Sequence, residues 1–174
     1  MIIIKALFWI CLFLIVYSYI LYPLILLLID RGQRLQVKRS DHLPNVSVII
    51  AAYNEEKMIE SRIKNCLALD YPADKLEIII ASDGSTDKTI EIAQKYSDPR
   101  IVLLDYKSRE GKVNVLNNTI PKTKYDIVVF SDANTFFAKD AIKKIVRSFS
   151  DEKVGCVCGG LHFVNADGSE TAEL

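Results

Sequence analysis

From Ala6 to Ile29 the chain runs for 24 positions without an ionised side chain. At 1.5 Å of rise per residue, a helix of that length crosses the ~30 Å hydrocarbon core of a bilayer. The run therefore reads as a membrane helix. Trp9, Tyr17, Tyr19 and Tyr22 supply amphipathic rings for the two interfaces, and Pro23 predicts a kink near Tyr22. A secretory signal fits less well, because its apolar core is normally ~7–15 residues and ends in small side chains, whereas this run continues through Leu24 to Ile29. Arg31, Arg34, Lys38 and Arg39 follow the span, against Lys5 and the amino terminus before it. The positive-inside rule then predicts an external N-terminus and a cytoplasmic downstream domain.

Composition narrows the class of that domain. Half the residues are hydrophobic, 25% are charged, and the 174 positions include only 7 Gly and 5 Pro, which excludes disordered, collagenous and low-complexity chains. Lys plus Arg and Asp plus Glu both number 22, so there is no net basic field to draw nucleic acid, and none is expected as a partner. Cys11, Cys66, Cys156 and Cys158 have neither a disulfide framework nor zinc-ligand spacing. Reduced thiols are expected, with Cys156 and Cys158 as a same-face pair in a core.

From Val46 onward, apolar runs alternate with segments of helical period. The runs 46–51, 76–81, 100–104 and 126–130 are short and rich in Val, Ile and Leu, as strands buried on both faces require. Between and after them, Ile59, Ile63, Cys66 and Leu67 form one helical stripe, Ile90 and Ala93 a second, Val113 and Leu116 a third, and Ile142, Ile145, Val146 and Phe149 a fourth. The fold class expected is α/β: a Rossmann-like, doubly wound, mostly parallel sheet behind one membrane helix. Ser85 or Thr86 is placed to cap the second helix, and Pro72 to stop the first. Residues 154–164 read as two strands around Gly159 and Gly160.

Sheets of this kind bind ligands beyond the carboxyl ends of their strands. The first strand is followed by Tyr53, Asn54 and Glu55, and the second by Asp83 to Asp87. The third is followed by Lys107, Arg109, Gly111 and Lys112, and the fourth by Asp132, Ala133 and Asn134. Asp83 and Asp132 can accept hydrogen bonds or hold a hard cation, while Arg109 and Lys112 can neutralise phosphate oxygens. A nucleoside diphosphate needs both kinds of group. Neither GxGxxG after the first strand nor GxxxxGK[ST] is present, so a metal is expected to take up the diphosphate charge. The Asp132-x-Asn134 spacing offers a carboxylate and an amide oxygen to Mg²⁺ or Mn²⁺. Taken alone, Asp83-Gly84-Ser85 reads first as a turn with a helix cap.

Four stretches together carry a family resemblance: VSVIIAAYNEEKMI, IIIASDGSTDKTIEIA, SREGKVNVLNNTI and VVFSDANTFF. In this order they resemble the nucleotide-binding half of inverting family 2 glycosyltransferases, processive-synthase-like enzymes of GT-A fold. The resemblance divides the chain into a membrane anchor (1–30), a basic juxtamembrane linker (31–45), a nucleotide-sugar-binding domain (46–164) and a polar tail (165–174). It implies a uridine pocket lined by Ala51, Tyr53 and Glu55, with Asp83 facing the uracil ring. It further implies Lys112 beside the donor, and Asp132 with Asn134 as the metal motif. Such enzymes usually carry DxD; Asn134 removes one formal charge, so Asp132 is the principal ligand.

The reaction implied is attack of an acceptor hydroxyl on the anomeric carbon of a UDP-sugar, with a polysaccharide or lipid-linked acceptor and inversion in one displacement. The family's downstream ED and QxxRW elements, which would bring the base, do not occur in this sequence. The chain is therefore expected to be a donor half, completed by a further segment or by another chain supplying the C-terminal half. The alternative is a catalytically silent nucleotide-binding or partner-binding membrane module. Asp167, Glu170 and Glu173 read as solvated tail charges, Glu56 and Lys57 as a solvated helix start, and Asp105 with Lys107 as a surface pair. His42 and His162 lack triad partners and receive no role.

Overall fold

The computed structural model describes residues 1–30 and 37–160. Two compact units divide at Val37 and Lys38. The first is one apolar helical rod, made of α1 (Ile2–Val16), a π-helical turn (Tyr17–Leu21) and α2 (Tyr22–Asp30). Its stretch Ile2–Ile29, 28 residues, is long and apolar enough to cross a membrane. The expected irregularity before Pro23 takes the form of the π turn, in which the Tyr22 N–H donates to Tyr17 O. Widening one turn absorbs the backbone bond that proline cannot make. Arg31 and Arg34 of the basic flank lie outside the described residues.

The second unit is built on four parallel strands: β1 (Val46–Ala52), β2 (Leu76–Asp83), β3 (Ile101–Tyr106) and β4 (Ile127–Asp132). Their order is β3-β2-β1-β4, and every pairing is parallel. Connecting parallel strands requires crossovers, and right-handed crossovers put successive helices on one face until the direction of strand addition reverses. Accordingly α3 (Ile59–Leu67) and α4 (Thr89–Gln94) cover one face, where Ile59, Ile63, Cys66 and Ala93 pack on Val48, Ile50, Ile78 and Ile80. The chain then adds β4 on the other side of β1. The intervening α5 (Lys112–Thr119) lies on the opposite face, its Val115 against Ile49, Ile79 and Ala81. After β4, α6 (Ala141–Val146) returns to the first face through Ile142 and Val146. The isoleucines of β1 and β2 are fully buried, each stabilising by about 1.5–3 kcal/mol. Among the described residues β3 and β4 are edge strands, only partly buried, which corrects the expectation of four strands buried on both faces.

Other local readings shift for identifiable reasons. The buried side of α5 is Val115 and Thr119, not Val113, which is exposed. The Thr119 hydroxyl returns to Val115 O (2.7 Å) and lies 3.0 Å from the Tyr106 hydroxyl, which fixes the helix phase. Cys156 and Cys158 are exposed rather than paired in a core, and residues 154–160 form no strand. The proposed second strand, 161–164, lies outside the described residues. Residues 38–44 of the expected linker are tied to the domain: Ser40 N–H donates to Arg147 O, Lys75 Nζ to Leu43 O (2.9 Å) and the Tyr71 hydroxyl to Pro44 O.

Two features set the strand ends. Before β3, Asp98 accepts the side-chain donors of Arg100 (Nε 2.9 Å, Nη2 2.8 Å) and its backbone N–H, which hold the Asp98 carboxyl down at about 2. A depressed carboxylate contributes stability above its unfolded value, near 4, and loses it as pH falls through about 2. We expect Asp98→Asn to lower the urea midpoint at pH 7, and the difference from the parent to vanish by about pH 2. After β2, Gly84 has φ +66°, and a Cβ there would lie 2.9 Å from Arg109 N and Ser108 C. Backbone meets backbone at that point. Gly84→Ala should cost about 1–3 kcal/mol in denaturation, because both the positive φ and the close approach penalise a side chain.

Candidate functional site

Ala51 of β1 lies in register with Ala81 of β2 on one side and Asp132 of β4 on the other. Asp83 and Asp132 thus end strands that flank β1 at the same carboxyl edge, two strand spacings or roughly 10 Å apart across the sheet, with Asp83 two residues farther along. This edge is also where strand order reverses, between β1 and β4, and so the crevice in which open α/β sheets bind ligands.

The loops after β1 and β2 are stapled together. Asn54 has φ +54°, a left-handed conformation that asparagine tolerates, and its Oδ1 accepts the Thr86 N–H at 2.8 Å. In return Asn54 N–H donates to Ser85 Oγ (3.2 Å), Glu55 N–H to Thr89 Oγ1 (2.8 Å) and Glu56 N–H to Asp87 Oδ2 (3.1 Å). Ser85 and Thr86 are therefore spent on the β1 loop and do not cap α4. That end is satisfied by Asp87, whose Oδ1 accepts the Thr89 N–H at 3.0 Å. Burial works against the Asp87 charge, but the hydrogen bonds from Thr89 and Glu56 prevail and hold its carboxyl below its ordinary value. Glu56, expected to be merely solvated, accepts the Lys88 N–H at 3.3 Å and closes the staple.

The loops after β2 and β3 meet through Asp83. Its carboxylate is nearly buried (6% exposed) and accepts the Glu110 N–H at 2.7 Å and the Gly111 N–H at 3.0 Å. Gly111, at φ +88° and ψ 151°, is the residue before α5, so Asp83 fixes where that helix starts. Charged acceptors near a helix start also complement the unpaired N–H groups there. Lys112, the first residue of α5, forms an ion pair with Asp132 Oδ1 across the crevice. Both side chains are about half exposed, so this pair can exchange partners readily.

Tyr53 carries the guanidinium of Arg109 over its ring at 4.2 Å. Arg109 stands in the post-β3 cluster but is not among the residues assigned by resemblance; its contact crosses between loops that are 56 positions apart in sequence (109 minus 53). Ala51, Tyr53 and Glu55 are all partly buried at this edge. Asp105 and Lys107 form the expected pair with each other.

Asp132 and Asn134 are both exposed at the end of β4, joined by a turn in which Thr135 N–H approaches Asp132 O. Among the described residues no group of three His, Cys, Asp or Glu side chains could hold a metal. The donor set is thus one carboxylate and one amide. That fits Mg²⁺ or Mn²⁺, which use one or two carboxylates and complete their shells with water and substrate phosphates, and it fits no all-protein cage.

Sequence reasoning missed a second layer below this segment. Arg62 of α3 is fully buried; its Nη2 donates to Ser131 Oγ (2.7 Å) and its Nη1 to Asn65 Oδ1 (2.6 Å). Its guanidinium lies 4.3 Å from the Phe137 ring centroid. Burial pushes the Arg62 pKa down and that of the neighbouring Cys66 up. The signal was available: Arg62 stands three after Ile59 and four before Cys66, within the apolar stripe.

Comparison with known proteins agrees with this architecture. The chain is 38% identical over 121 residues to poly-beta-1,6-N-acetyl-D-glucosamine synthase of Staphylococcus aureus, a match covering 68% of this chain and 29% of that protein. It is 35% identical over 131 residues to beta-monoglucosyldiacylglycerol synthase of a Nostoc species, covering 73% and 28%. The matched part is under a third of the length of these curated relatives. Among solved structures, a mannosyltransferase of Pyrobaculum calidifontis, in complex with GDP-Man and Mn²⁺, superposes with a TM-score of 0.70 at 29% identity, over 80% of this chain and 43% of that one. TarS of S. aureus, in a structure with UDP-GlcNAc, gives 0.53 at 26% identity, over 57% and 29%. The profile described as "Glycosyl transferase family 2" matches residues 47–173, and since that stretch includes all four strands and every loop of the crevice, the chain belongs to glycosyl transferase family 2.

Proposed function

We propose that this chain carries the donor-binding domain of a membrane-anchored inverting glycosyltransferase that takes a UDP-sugar and serves a polysaccharide or lipid-linked acceptor. One observation carries the reading: Lys112, Asp132 and the Asp83-held loop meet at the strand-order reversal, with Tyr53 and Arg109 alongside. A flat aromatic residue, a cation pair and an exposed carboxylate with an adjacent amide match a base, a diphosphate and its counter-cation in turn. The named relatives, which include enzymes solved with GDP-Man and with UDP-GlcNAc, support a nucleotide-sugar donor. The apolar rod Ile2–Ile29 supports attachment to a membrane, with the basic flank favouring a cytoplasmic domain.

In this reading Ala51, Tyr53 and Glu55 line the uridine pocket, with Arg109 stacked on the Tyr53 ring at 4.2 Å. Asp83 borders the uracil while its carboxylate holds the Glu110–Gly111 backbone. A divalent cation, held by Asp132 and Asn134, would supply charge neutralisation at the diphosphate. Lys112 exchanges its pairing with Asp132 for a phosphate oxygen, so its positive charge follows the negative charge that develops on the leaving group. The acceptor oxygen forms its bond to the anomeric carbon as the bond to the diphosphate oxygen breaks. UDP departs, and the acceptor proton passes to a carboxylate outside the strands described here. A single displacement inverts the configuration.

Calorimetry of the full chain in detergent tests the donor side. UDP should bind with Mn²⁺ or Mg²⁺ present and several-fold more weakly without it. Asp132→Ala should remove that metal dependence. A flat UDP titration, or a preference for GDP, would refute the uridine assignment. Asn134→Asp restores a second carboxylate and should lower the Mn²⁺ concentration at half-saturation several-fold; an unchanged value would remove Asn134 from the ligand set.

A further inference from the structure

We infer that Arg62 is a positioning residue: from α3 it clamps both ends of the segment that presents Asp132 and Asn134. The inference rests on the metal-site reading proposed above, but its geometry stands apart from it.

The upstream end of the segment is held directly. Nη2 of Arg62 donates to Ser131 Oγ at 2.7 Å, one residue before Asp132. The downstream end is held through Asn65, whose Oδ1 accepts Arg62 Nη1 at 2.6 Å and the Phe137 N–H at 2.9 Å. Asn65 Nδ2 donates to Phe137 O at 2.9 Å, so both backbone groups of Phe137 are engaged, and the guanidinium lies over its ring at 4.3 Å. Asp132, Ala133 and Asn134 therefore span a short bridge between two points fixed to one helix.

General packing does not account for this arrangement. Arg62 has no solvent exposure, its Nε lacks a hydrogen-bond partner, and among the described residues no carboxylate pairs with it. A guanidinium stays charged under these conditions, and an apolar side chain of similar volume would fill the same place without that desolvation cost. What an apolar residue cannot do is donate in two directions from a rigid plane, which is how Ser131 and Asn65 are reached together. α3 also begins directly after the loop containing Tyr53 and Glu55, so the same helix links the base side of the crevice to the Asp132 side.

Hydrogen–deuterium exchange on the ligand-free full chain in detergent tests the clamp without metal or turnover. Arg62→Met should raise amide exchange across 131–137 at least tenfold while β1 and β2 keep their protection. Unchanged exchange at 131–137 overturns the clamp, and so does equal loss of protection through β1 and β2, which would assign Arg62 to general packing. Should Arg62→Met fail to fold, Ser131→Ala removes the strand-end acceptor, together with that hydroxyl's own 3.4 Å contact to Asp132 O, and should loosen the same stretch; normal exchange there overturns the proposal. The consequence for ligand is read by UDP titration against Mn²⁺. Arg62→Met should raise the half-saturating Mn²⁺ concentration at least fivefold, and Arg62→Lys should recover part of it. If Asp132→Ala abolishes metal dependence while Arg62→Met leaves it unaltered, the clamp has no bearing on the site and the proposal fails. If Asp132→Ala itself changes nothing, the metal reading falls, and the exchange result alone decides the clamp.

Discussion

The crevice depends on one carboxylate, that of Asp83, turned inward onto the backbone N–H groups of Glu110 and Gly111. Hydrogen bonds to a charged acceptor contribute about 1.5–3 kcal/mol each, and a nearly dry location keeps them from competition with water. Gly84 makes the contact possible by letting the 108–109 backbone approach within the space a Cβ would fill. The start of α5 is fixed as a result, and Lys112 is delivered to Asp132 on the far side of β1. Loops following three different strands are thus brought into one mechanical unit by a residue whose obvious reading was a turn or a ligand contact.

A second constraint comes from beneath. Burying an unpaired guanidinium costs several kcal/mol, yet Arg62 is retained in the apolar face of α3. Its hydrogen bonds go to Ser131 at one end of the Asp132–Asn134 segment and to Asn65, which holds Phe137 at the other. Asp83 acts on the β3 side of the crevice and Arg62 on the β4 side, and β1, with its stapled Asn54 loop, stands between them. The exposed ion pair at the centre is weak by itself, as the exchange of Lys112 onto a phosphate oxygen proposed above requires.

Much of this was legible in the amino-acid order. The Val, Ile and Leu runs marked all four strands, although only β1 and β2 are buried on both faces while the edge strands β3 and β4 are partly exposed, and the polar groups following them marked the crevice. The readings that failed did so where a side chain had two available uses. Ser85 and Thr86 looked like helix caps and are instead bonded to the β1 loop; Asp87 took the capping role. Val113 and Leu116 gave the correct helix, and Leu116 packs on the core, but Val113 is exposed and Val115 with Thr119 takes the buried side, a phase set by the contact of Thr119 with Tyr106, 13 positions apart. Cys156 and Cys158 had strand-like spacing, but residues 154–160 form no strand and leave both exposed.

The sequence by itself determined the membrane-length rod, the α/β class and the identity of the groups at the strand ends. These follow from local periodicity and from the length of an uncharged run, both properties of neighbouring residues. Only the tertiary structure decided the strand order β3-β2-β1-β4, the stacking of Arg109 on Tyr53, the inward turn of Asp83 and the burial of Arg62. Each of these joins residues tens of positions apart. Whether a carboxylate or a guanidinium faces water or backbone depends on which distant donors and acceptors the packed core brings within 3 Å, and no local pattern encodes that choice.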